Sequence, residues 1–100
     1  MSAPYSLRLT SAAEQDLLEA IKWHDEQQRG LGNEFLRNVD ATLAKIARNP
    51  FQYQQLHHSI RRGLVPRFPY GVFFLVEKKR IVVLAVFHVR RDPTVWQSRI

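Results

Sequence analysis

The second half of the chain carries seven arginines: Arg61, Arg62, Arg67, Arg80, Arg90, Arg91 and Arg99. A guanidinium presents a fixed fork of donors that suits phosphate and carboxylate, and it is too firmly protonated to serve as a base. The groups able to move a proton are four histidines (His24, His57, His58 and His88) and three tyrosines. No cysteine is present, so a thiol nucleophile, a disulfide framework and a cysteine-based metal site are excluded. His57 and His58 are adjacent, so on an extended segment they point to opposite sides and make a poor metal pair. The four glycines form no glycine-rich phosphate loop. Neither a cofactor nor a metal is expected.

Charge is unevenly spread. Residues 1–50 hold six Lys/Arg and seven Asp/Glu, a net −1. Residues 51–100 hold nine Lys/Arg against Glu77 and Asp92, a net +7. Such an asymmetry points to an anionic or acidic partner for one surface, beside its plain role of keeping a sheet soluble. With 100 residues, 45% hydrophobic and 24% charged, the composition is that of one globular domain spanning 1–100. It excludes a disordered tail, a coiled-coil rod and a collagen-like chain. A domain this small buries roughly 65% of its unfolded surface, enough for one core but not for a deep enclosed active site. The longest apolar stretches fall far short of the ~20 residues of a membrane span. Met1–Ser11 lacks the apolar run of a signal peptide, and a reducing cytoplasm is the expected location.

Several elements must position these groups. Tyr5–Leu9 alternates, with Tyr5, Leu7 and Leu9 on one face, and reads as a strand. Ser11 and Glu14 form a capping box ahead of a helix whose apolar stripe is Ala13, Leu17, Leu18 and Ile21. Gly30 is expected to close that helix as a left-handed cap. A Gly30-Leu31-Gly32 link then leads into a second helix carrying Phe35, Leu36, Val39, Leu43, Ile46 and Ala47, which stops at Asn49-Pro50. Strands follow at Ile60–Val65, at Tyr70–Glu77 and, after a Lys78-Lys79 turn, at Arg80–Val89. The run Ile81–Phe87 suggests a strand covered on both faces. Asp92-Pro93 starts a short helical tail. The expected fold is α+β, in the order β-α-α-β-β-β. A helix hairpin packs on one face of a small, twisted, largely antiparallel sheet.

Arg67-Phe68-Pro69-Tyr70, the following hydrophobic strand, His88-Val89-Arg90-Arg91-Asp92-Pro93, and then Trp96 and Arg99 together resemble the ParE branch of the ParE/RelE toxin superfamily. The resemblance runs from about Tyr5 to Arg99 and includes Ala13, Asp16-Leu17, Ile21, Phe35 and Pro50. It implies the toxin of a type II toxin–antitoxin module, of the plasmid-stabilisation kind, neutralised by an antitoxin encoded beside it. ParE-like toxins act on DNA gyrase, whereas RelE-like relatives cut mRNA on the ribosome. A third reading is a non-toxic remnant that still binds antitoxin.

RNA cleavage by 2′-hydroxyl attack needs a base, an acid and a cation at the phosphorane. A nuclease site would have to draw on Arg67, His88 and Arg90 or Arg91. No tyrosine follows Tyr70, and a strand-ending His88 suits a hydrogen-bonded structural role. The expectation is therefore a gyrase inhibitor that acts by binding. Arg61, Arg62, Arg67, Arg90, Arg91 and Arg99 form its target surface, and Trp23, Phe73 and Phe74 lie where the antitoxin docks. Trp96 is expected to anchor the tail against the sheet, and Arg91 to pair with Asp92.

Overall fold

Thr10, not Ser11, starts the first helix. In the computed structural model, which describes residues 5–100, the Thr10 hydroxyl accepts from the Ala13 amide at 3.1 Å. The order is β1 (Ser6–Leu9), α1 (Ser11–Gln27), α2 (Leu31–Arg48), a 3-10 turn (Pro50–Gln52), β2 (Gln55–His57), β3 (Ile60–Leu64), β4 (Tyr70–Glu77), β5 (Arg80–His88) and α3 (Pro93–Gln97). The short strand β2 adds to the expected set. It arises because the chain turns back at His58, which adopts a left-handed φ of 50°.

One sheet holds all five strands in the order β1-β5-β4-β3-β2. Pairing is antiparallel except between β1 and β5, which run parallel. The helix hairpin between β1 and the later strands makes this possible, since a parallel neighbour needs a long crossover. The α1–α2 hairpin covers one sheet face. Ala13, Ala20, Phe35, Val39 and Ile46 pack there on Val72, Phe74, Ile81, Val83 and Val86. The opposite face, with Phe73, Leu84, Ala85 and Phe87, is closed by Trp96 of α3. Residues 81–87 are buried throughout, as a strand covered on both faces requires.

The hairpin is tighter than the sequence suggests. Helix α1 ends at Gln27, and Gly30, at φ 91°, caps the start of α2 rather than the end of α1. Gly32 lies inside α2, where a Cβ would stand 2.7 Å from the Ile21 carbonyl oxygen. Glycine therefore sets the closest approach of the two helices. The Asp25 carboxylate receives the Gly30 and Gly32 amides at 2.9 and 3.2 Å and fixes the turn.

The buried stripe of α1 is Ala13, Ala20 and His24, whereas Leu18 is exposed. His24 completes the core because its Nδ1 donates to the Ala20 carbonyl at 2.6 Å and its ring stacks on Phe35, with centroids 4.5 Å apart. Phe68 and Tyr70 meet it edge-on and tilted, at 5.1 and 5.3 Å. A histidine whose one donor is satisfied behaves here as an aromatic core residue.

Candidate functional site

Strand β5 outlasts its neighbour. β1 pairs with it only as far as Leu9 opposite Val83. There the chain turns into α1, with the Thr10 amide donating to the Val83 carbonyl at 3.0 Å. Beyond Val83, a bulge leaves Leu84 as an extra residue, since Phe73 faces Ala85 while Phe74 faces Val83. The outer edge of β5 from Leu84 to His88 therefore faces helix α1 instead of a strand.

Two side chains occupy the first part of that edge. Asp16 of α1 accepts from the Val86 amide at 3.1 Å, and Arg99 donates to the Leu84 carbonyl at 2.9 Å. The same two residues pair with each other at 2.6 Å and are largely shielded from solvent. Arg99 thus ties the tail to α1 and β5 and is not a free cation for a target.

Beyond Asp16 the edge opens into a cleft of about 280 Å³, lined among others by Glu19 and Trp23 of α1, Tyr70 of β4, and His88 and Arg91. Trp23 is 54% exposed and forms its rim. His88 faces Tyr70 across the β5–β4 pair, with ring centroids 5.5 Å apart. Its Nδ1 accepts from the Arg90 amide at 3.1 Å, so in the neutral ring the proton sits on Nε2, free to donate. Burial pushes the Tyr70 hydroxyl above the ordinary tyrosine range, while the nearby Arg91 guanidinium pulls it the other way.

The other residues singled out from sequence are scattered. Arg67 occupies a left-handed turn, φ 68°, and reaches Glu34 of α2 at 3.3 Å. It does not line the cleft with His88 and Arg91. Arg61 donates to the Tyr53 carbonyl at 2.6 Å and lies over Phe51. Arg62 is half-buried, its stem lying across Gly71. Arg90 is exposed. Arg91 lies 4.4 Å over the Phe87 ring and forms no ion pair with Asp92 among the described residues. Asp92 caps α3 by accepting from the Thr94 amide at 3.0 Å, which holds its carboxyl below the usual range.

Phe73 and Phe74 are both buried, on opposite sheet faces, and offer no docking surface. Trp96 stacks on Phe73 at 4.4 Å and anchors the tail. His57 and His58 stand edge to face at 4.2 Å, and no group of three potential ligands among the described residues is placed to hold a metal ion. Among the described residues no helix is long and apolar enough to cross a membrane. The edge cleft itself escapes sequence reasoning. Asp16 and Glu19 read as solvated helix residues until α1 is laid against β5, and only the unequal lengths of the two strands could have signalled it.

A family model described as the ParE toxin of the type II toxin–antitoxin system, parDE, matches residues 7–93. No curated protein matches the sequence. Solved structures share the fold, among them two toxin–antitoxin complexes. The chromosomal ParDE TA system from P. aeruginosa superposes with a TM-score of 0.76 at 18% identity, over 87% of this chain and 98% of that one. The toxin–antitoxin complex RelBE2 from Mycobacterium tuberculosis does so with a TM-score of 0.62 at 18% identity, over 86% and 99%.

Proposed function

The chain belongs to the ParE toxin family of type II toxin–antitoxin systems, and we propose that it arrests replication by binding DNA gyrase, or gyrase on its DNA. A cognate antitoxin restrains it in the cytoplasm. Arg61, Arg62, Arg67, Arg90 and Arg91 supply the contacts to gyrase or DNA, with Arg61 held by the Tyr53 carbonyl. Trp23 stands on the antitoxin side. ParDE and RelBE2, two of the solved structures with this fold, are toxin–antitoxin assemblies, which supports a partner of that kind.

Binding without catalysis is supported by one observation: Arg67 is not brought together with His88 and Arg91, the groups with which it would form a nuclease site. His88 spends Nδ1 on the Arg90 amide, and Arg67 turns away to Glu34. Burial raises the Tyr70 hydroxyl further above the ordinary tyrosine range, away from that of a general base at neutral pH.

Inducing the chain without antitoxin and pulse-labelling DNA and protein synthesis in one culture tests the reading. DNA synthesis is expected to stop first, with chromosome breaks. If translation stops first, a RelE-like ribosome-dependent endonuclease replaces the gyrase reading. If a folded, well-expressed chain leaves both untouched, the protein is a non-toxic antitoxin binder.

A further inference from the structure

Phe51 is 55% exposed. It lies in the 3-10 turn between α2 and β2. The Tyr5 ring meets it edge-on at 6.1 Å, and the Arg61 guanidinium stands 5.1 Å from its centre. A ring that keeps more than half its surface in water adds little to packing. Strand alternation aims Arg61 here. Ile60 belongs to the α3-side cluster, so Arg61 points to the hairpin side, as does Gly63, where a Cβ would meet Ile46 and Thr42 of α2. Arg61 spends one N–H on the Tyr53 carbonyl, and the rest of its fork has no partner among the described residues. Two more cations stand beside it. Lys45 and Arg48 are both exposed and lie at i, i+3 spacing in the last turn of α2. Burial pushes the Tyr53 hydroxyl up, and Arg48 is near enough to pull it back. None of the three cations has a carboxylate partner among the described residues. From Ala41 to Val76 the chain contains no Asp or Glu.

We propose that this patch binds a single strand of nucleic acid, with an unpaired base stacked on Phe51 and the adjoining phosphates held by Lys45, Arg48 and Arg61. The ring selects the strand. Every base has a π-face, but in a duplex those faces are already stacked on one another, so a protruding aromatic favours an unpaired base. The cations select the anion. Three unpaired positive groups attract a phosphate backbone, and no carboxylate within that stretch of chain competes with it. An acidic peptide would satisfy the cations but gives no reason for the exposed ring between them. The patch is separate from Arg62, whose stem crosses Gly71 beside Phe73 on the α3 side of the sheet. It shares only Arg61 with the surface assigned to gyrase, and binding here needs no gyrase.

The test is fluorescence anisotropy of the full chain with labelled oligothymidylate, oligouridylate and a mixed-sequence duplex, each about 12 nucleotides long to suit one site of this kind. At least one single strand is expected to bind tenfold or more tightly than the duplex, and the thymidylate and uridylate arms tell a DNA strand from an RNA strand. Phe51→Ala should weaken that binding about tenfold, as loss of one base–aromatic stack does, while Phe51→Trp keeps it. Arg48→Gln should lower the slope of log affinity against log salt by about 0.7. Lys79→Gln, in the β4–β5 turn, should leave the preference for a single strand unchanged. Circular dichroism checks that each variant is folded. Duplex bound as tightly as single strand, or Phe51→Ala binding like the parent chain, overturns the proposal. If neither single strand binds but purified gyrase does, and Phe51→Ala weakens that complex, the patch docks a protein: the proposal falls and the gyrase reading stands.

Discussion

Asp16 and Arg99, 83 positions apart, form a two-pronged ion pair: Nη1 lies 2.6 Å from Oδ2 and Nη2 lies 3.2 Å from Oδ1. Each also bonds the main chain of β5, Asp16 at the Val86 amide and Arg99 at the Leu84 carbonyl. The Arg99 guanidinium lies 4.9 Å over the Phe87 ring as well. The pair therefore joins the first helix, the free edge of the sheet and the C-terminal tail.

Removing one partner leaves the other charge shielded and unpaired. Asp16→Ala or Arg99→Ala is expected to cost about 2–3 kcal/mol in urea unfolding. Each variant also orphans a main-chain group of β5, the Val86 amide in one and the Leu84 carbonyl in the other. The double variant should cost less than the sum of the two. Additive costs would mean that the pair is not coupled.

His24 sits among four aromatic rings, those of Trp23, Phe35, Phe68 and Tyr70. His24→Ala is expected to destabilise the fold by about 3 kcal/mol, as loss of a buried ring does. His24→Phe keeps the stacking and forfeits one hydrogen bond, for about 1 kcal/mol. Thermal unfolding of the two variants separates packing from hydrogen bonding.

Two glycines in the helix hairpin should respond for different reasons. Gly32→Ala drives a methyl against the Ile21 carbonyl and Asp25 and is expected to cost about 1–3 kcal/mol. At Gly30 a methyl meets nothing within 4 Å, but φ is 91°, so Gly30→Ala should cost only the left-handed strain, about 1–2 kcal/mol. Chemical denaturation of each variant measures both.

Burial raises the hydroxyl pKa of Tyr53 and of Tyr70, opposed by Arg48 and Arg91 respectively. The folded-state value lies above the unfolded one. The stability contributed is therefore complete below about pH 10 and lost as pH climbs through the folded values. Urea midpoints should stay level up to that point and then fall, and Tyr70→Phe with Tyr53→Phe should flatten the alkaline fall. Asp92 has the opposite sign. Its lowered value, from the Thr94 amide first and the Thr94 hydroxyl second, makes the cap effective above the ordinary carboxylate range and lost in acid. Trp96 fluorescence followed down in pH should report the tail loosening, and Asp92→Asn should remove that transition.

Arg67 combines a left-handed backbone, an exposed side chain and one weak ion pair. Arg67→Gly removes the charge and relieves the φ of 68°. Stability should hold or rise by up to about 1 kcal/mol, while growth arrest on induction weakens. Undiminished arrest at equal expression would take Arg67 out of the target surface.

Local patterns carried most of the fold. Alternation marked β1, aromatic and β-branched content marked β4, continuous apolar character marked the doubly covered β5, Pro50 ended α2, and Asp92-Pro93 started the tail. Each of these is settled within a few residues by backbone sterics and side-chain period, so one-dimensional reading suffices. Arg67-Phe68-Pro69-Tyr70 and His88 to Pro93 likewise carried the family. The functional surface was less legible. Arg99 counted among the target-surface cations, Phe73 and Phe74 among the antitoxin-docking residues, and His24 only among the groups able to move a proton. Which of two adjacent strand residues faces out, and whether a charge finds a partner 83 positions away, depends on packing between elements distant in sequence. Only the tertiary structure decided that Asp16 meets Arg99, that both phenylalanines are buried, and that β5 ends with an open edge. These follow from where β1 stops and from what the two helices cover, and no local spacing encodes either.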